Sequence, residues 1–138
     1  MQVVFALLAV QFFLPSCSYL FAPELALHNV DTIGRLLGGG AYPVAAEQGY
    51  IFRVLAAGNV FTLGFLCLLM LLDIRRYPTL VPVFAVLKGY SAIGYLYVFF
   101  VKLRNPLFVG VFFWDGLALF LVVFLGRRAF RAVSQSAR

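Results

Sequence analysis

Two charges stand deep inside the apolar part of this chain. Lys88 lies within LVPVFAVLKGYSAIGYLYVFFV and Asp115 within LFVGVFFWDGLALFLVVFLG. An ammonium and a carboxylate in such surroundings can do three things. They can hold two helices in register as a fixed ion pair, relay a proton, or present the polar end of a ligand site. A lone charge at the centre of a bilayer costs from roughly 3 to more than 10 kcal/mol, so each of these two needs a partner, and the other is the natural one. Ser91 and Tyr95 follow Lys88 at i+3 and i+7, which places all three on one helix face. Trp114 adjoins Asp115 and either packs on Lys88 as a cation–π contact or faces lipid. Asn59, with Thr62 at i+3, is the other polar side chain expected near mid-depth.

Other candidate chemistry is thinner. Cys17 and Cys67 sit in apolar stretches without CxxC spacing and without an adjoining charge to activate a thiolate. They read as small hydrophobes, with a thiol pair between the first two spans as the alternative. His28 is the only histidine and reads as a solvated polar residue rather than a metal ligand. Gly38-Gly39-Gly40 lacks both the GxGxxG spacing and the Lys-Ser/Thr of a phosphate loop, so it reads as a hinge.

Composition sets the solvent. Of the 138 residues 64% are hydrophobic and 12% charged, with a mean hydropathy of +0.99. Soluble domains carry about 25% charged residues, so half that share argues against a water-soluble fold. The net charge of +6 sits at the ends of apolar segments rather than on a polar face, which argues against a nucleic-acid partner.

Four segments are long enough to cross a hydrocarbon layer about 30 Å thick. They cover about 2–22, 50–72, 79–101 and 107–126, followed by a basic tail over 127–138. The first lacks the basic n-region of a signal peptide and reads as a retained helix, kinked at Pro15. Its Gln11 is expected to seek an interhelical partner. Residues 24–37 set Leu27, Val30 and Leu37 against Glu24, His28, Asp31 and Arg35, the pattern of an amphipathic helix in the membrane interface. Arg53, one turn into the second span, is placed to snorkel to the interface. Pro82 falls in the first turn of the third span, where proline costs least.

Four spans put both termini on one side, together with Arg75, Arg76, Arg127, Arg128, Arg131 and Arg138. The opposite side holds Glu24, Asp31 and Glu47 with fewer basic residues, so the termini are expected in the cytoplasm. At 1.5 Å per residue Lys88 lies about 13 Å, Asp115 about 16 Å and Asn59 about 20 Å from the cytoplasmic ends of their spans. Lys88 and Asp115 therefore meet at similar depth on adjacent antiparallel helices.

Tyr19-Leu20-Phe21-Ala22-Pro23 at the end of the first span, Arg53 with Gly58-Asn59 in the second, and Asp115-Gly116 in the fourth resemble the small four-helix DoxX-like membrane proteins. The resemblance covers most of residues 1–126 and rests on layout and short motifs. It implies a four-helix membrane fold; some members are small subunits of quinone-linked oxidoreductases. Lys88 matches no pattern of that group.

The expected fold is therefore all-α, a single membrane domain over 1–138. It is an up-down four-helix transmembrane bundle with an interfacial helix between spans one and two. The expected site is the cluster Lys88, Asp115, Asn59, Ser91, Tyr95 and Trp114, with Arg53 at the interface and no metal. The expected function is that of a non-catalytic, multi-pass plasma-membrane protein. It binds an amphiphilic small molecule or serves as an accessory subunit, with a membrane-protein partner or a second copy. Proton- or solute-coupled transport through the Lys–Asp pair is the alternative, as is a quinone- or thiol-linked oxidoreductase subunit. No cofactor is indicated.

Overall fold

A computed structural model describes residues 1–40 and 50–136, with side chains over 1–40 and 54–132. The described residues form helices and turns without strands. The helices are α1 (Gln2–Phe21), α2 (Pro23–Leu36), α3 (Tyr50–Asp73), α4 (Leu80–Tyr97) and α5 (Pro106–Ser136), with a π-helical turn, Val98–Lys102, continuing α4. Among the described residues, four helical segments are long and apolar enough to cross a membrane: Gln2–Phe21, Val54–Asp73, Leu80–Lys102 and Pro106–Ala132. Large apolar side chains also point outward along them, among them Val3, Leu14, Val86, Ile93 and Phe113. Exposure of this kind suits lipid, not water.

The helix boundaries follow from local chemistry. Ala22 leaves helical geometry (φ −139°, ψ 59°), and Pro23 then opens α2 at a position where its missing N–H costs nothing. At the other end of α2 Gly38 takes φ +83°, a conformation that favours glycine. The Gly38 N–H donates to Arg35 O and the Gly39 N–H to Gly34 O. These are the paired bonds of a Schellman cap. The glycines expected to form a hinge instead close a helix at Gly38 and Gly39. Asn105 caps α5: its Oδ1 accepts the Leu107 N–H at 3.0 Å, with Pro106 in the first helical position.

The helices pack chiefly as two pairs, α1 with α3 and α4 with α5. In the first pair Ser16 Oγ donates to Ala57 O at 2.8 Å, and Phe13 meets both Phe61 and Gly64, so the helices run antiparallel. In the second, Val81 lies against Gly126 and Tyr95 against Phe108, again antiparallel. On α1 the buried Phe5, Leu8, Phe12 and Ser16 make one stripe at helical spacing. That stripe meets Leu63, Cys67 and Met70 of α3, and the core continues through Phe84, Ala118 and Val122. The pairs join at a seam where Phe12 lies 6.0 Å from Phe84, ring to ring.

Pro15 lies inside α1. Two expectations change. The third span ends in the π-helical turn. The basic tail is not a separate segment: α5 runs on to Ser136, with Ala129 buried and Phe130 packed on the core. Residues 127–136 hold no helix breaker, so nothing stops propagation past the membrane-length stretch. Glu47 lies outside the described residues.

Candidate functional site

The site grows from the middle of α4. Lys88 points toward α5, where the antiparallel register that joins Val81 to Gly126 and Tyr95 to Phe108 carries Asp115 to the same level. Lys88 Nζ donates to Asp115 Oδ1 at 2.5 Å, and the two residues are only 5% and 4% exposed. Ser91 Oγ, one turn along the same face, donates to Asp115 Oδ2 at 2.7 Å. Both carboxylate oxygens thus accept a bond. From α1 the face of the Phe12 ring approaches Lys88 Nζ, 4.5 Å from its centroid, a cation–π contact. The ammonium is held by a carboxylate on one side and an aromatic face on the other.

Beside this cluster lies a cavity of about 660 Å³ to which all five helices contribute. Lys88, Ser91 and Tyr95 line it from α4, and Asp115, Trp114, Val111 and Leu107 from α5. Across from them stand Gln11, Pro15 and Tyr19 of α1 and Asn59, Val60 and Leu63 of α3. Val30, Ile33 and Leu37, the apolar side of α2, complete the wall. α2 is held there by a tether to α5. The buried Asn105 places its Nδ2 3.4 Å from Gly40 O as a donor, and Leu37 reaches the backbone at Gly110.

Of the residues expected from sequence, Lys88, Asp115 and Ser91 make one bonded cluster. Tyr95 stacks on Phe108 (centroids 6.1 Å apart) and faces the same cavity. Asn59 lines the cavity from the opposite wall without bonding to the ion pair, and Thr62 bonds back to Gly58 O in its own helix. Trp114 is 55% exposed and lines the rim, while the aromatic face over Lys88 belongs to Phe12. Gln11 faces the cavity rather than an interhelical partner. Arg53 is in the first turn of α3, but its side chain lies outside the described residues.

No protein-family model, curated protein or solved structure matches this chain.

Both cysteines are free, Cys17 exposed and Cys67 in the core. Cys17 adjoins Ser16, which bonds Ala57, whereas Cys67 lies about 15 Å of helical rise further along α3. Among the described residues no group of His, Cys, Asp and Glu is arranged to hold a metal ion. Sequence reading passed over Phe12, Ser16 and Asn105. The Asn-Pro pair at 105–106 is a recognisable helix start, so the cap at Asn105 was available as a signal. Nothing in the sequence marked Phe12 apart from the other fifteen phenylalanines.

Proposed function

We propose that this is a small polytopic integral membrane protein that binds an amphiphilic molecule in the cavity between its helix pairs, and that its role is binding rather than catalysis. The observation that carries the reading is the composition of that cavity. Its walls are mainly apolar, and one side is set with Lys88, Ser91 and Asp115. A pocket of some 300–1,000 Å³, apolar with a few convergent polar groups, is the ordinary form of a small-molecule site.

The same reading gives an up-down bundle in the plasma membrane, the inner membrane of a bacterium, with both termini cytoplasmic and α2 in the outer interface. Antiparallel packing of α1 on α3 and of α4 on α5 supports the bundle. The grouping of Arg75, Arg76, Arg127 and Arg128 supports the orientation. The polar side of α2, where Arg35 Nε bonds Asp31 at 2.8 Å, supports the interfacial placement. The resemblance to DoxX-like proteins agrees in layout. Extraction in a mild detergent followed by native mass spectrometry tests the reading. A bound lipid-like species at one copy per chain is the expected result, and a bare chain would count against it.

A second reading, proton- or solute-coupled transport, draws on the fact that Lys88 and Asp115 both reach the cavity. It requires Asp115→Asn to abolish uptake in reconstituted vesicles while leaving the fold intact. A thiol-linked activity finds no support in the separation of Cys17 from Cys67.

A further inference from the structure

Resting on the amphiphile-binding reading, we propose that the head group taken by this cavity is uncharged and built of hydroxyl and carbonyl groups. A monoacylglycerol has such a head; a carboxylate, phosphate or amine amphiphile does not. Among the described residues, the charges that line the cavity are Lys88 and Asp115, and they neutralise each other at 2.5 Å. An anionic head would have to draw Lys88 away and leave Asp115 facing it. A cationic head would have to draw Asp115 away from both Lys88 and Ser91. Either exchange leaves an unpaired charge on a side chain that is almost wholly buried.

The opposite wall asks for something else. Gln11, Tyr19 and Asn59 line the cavity, and among the described residues none of them makes a hydrogen bond. Asn59 is exposed, and among the described residues no buried side-chain nitrogen or oxygen lacks a partner, so the polar atoms of Gln11 and Tyr19 also keep accessible surface. All are neutral, and each can donate and accept. Among the described residues, two carboxamides and a phenol facing a closed ion pair form a hydrogen-bonding wall of zero net charge. Hydroxyl and ester groups satisfy it without disturbing the pair. Val30, Leu37, Val60 and Leu63 leave apolar surface for a single tail.

The test uses the full chain in detergent micelles and three probes with the same bromine-labelled eighteen-carbon tail: a monoacylglycerol, a fatty acid and a primary amine. Trp114 is the only tryptophan and lines the cavity, so its quenching reports occupancy. Saturable quenching by the monoacylglycerol at one per chain is expected, with an affinity about tenfold above the other two. Gln11→Leu and Asn59→Leu should each weaken it about three- to tenfold, the worth of one hydrogen bond, with little change for the charged probes. A charged probe binding as tightly as the monoacylglycerol overturns the proposal, and that ranking on the parent chain needs no folded variant. Saturable binding of none of the three sinks the amphiphile reading itself.

Discussion

At the scale of single residues, Lys88 and Asp115 show how an apolar environment enforces chemistry. Neither charge is tolerable alone at that depth: Lys88 and Ser91 each donate to one Asp115 oxygen, and the Phe12 ring faces the ammonium. Lys88→Met or Asp115→Asn should each destabilise the protein by about 3–5 kcal/mol, the usual result of breaking one side of a buried pair. The double substitution should recover most of that loss when thermal unfolding is followed in detergent. Singles as stable as the parent would mean the pair contributes nothing. Ser91→Ala should cost less, about 1.5–3 kcal/mol for one bond to a charged group. The pair was legible in the sequence because depth along a helix follows from residue count. The ring over Lys88 was not. Trp114 is the nearer aromatic in the sequence reading, but rotation about the helix axis turns it to the rim, and α1 supplies Phe12 instead.

At the scale of elements, the informative helix is α2. Its bounds, Pro23–Leu36, follow the apolar and polar spacing seen in the sequence. Its anchoring depends on three residues whose sequence signals are modest. Gly38 holds φ +83°, so Gly38→Ala should cost about 1 kcal/mol through backbone strain. A Cβ at Gly39 would stand 2.6 Å from Asn105 Oδ1, so Gly39→Ala must displace the Asn105 side chain and loosen α2. Asn105→Ala removes the cap of α5 and should cost about 1 kcal/mol. Amide hydrogen exchange over residues 23–40 reads the outcome. Faster exchange there in Gly39→Ala and Asn105→Ala, with α3 unchanged, is expected; uniform protection would show that the Asn105 tether does not hold α2. The α4–α5 contact has a comparable close approach. A Cβ at Gly126 would meet Val81 Cγ2 at 2.9 Å, so Gly126→Leu should overpack the interface at a cost of about 1–3 kcal/mol in a thermal melt.

At the scale of the whole molecule, two antiparallel helix pairs meet at a seam with a cavity beside it. The proposed orientation makes a direct prediction. In a cysteine-free background, His28→Cys on α2 should react with a membrane-impermeant thiol reagent added outside intact cells, and Ser134→Cys only after lysis. The reverse pattern would invert the topology. What the sequence determined by itself was local or additive. The four long apolar segments, the amphipathic α2 and the common depth of Lys88 and Asp115 all come from counting residues at a fixed rise and period. Tertiary structure alone decided which helices pair closely, that Gln11, Tyr19 and Asn59 face one space, and that Asn105 tethers the helix lining it. Those outcomes depend on helix rotation and side-chain fit. In a segment apolar on every side, periodicity does not mark which face turns inward, and only close packing of particular shapes selects it.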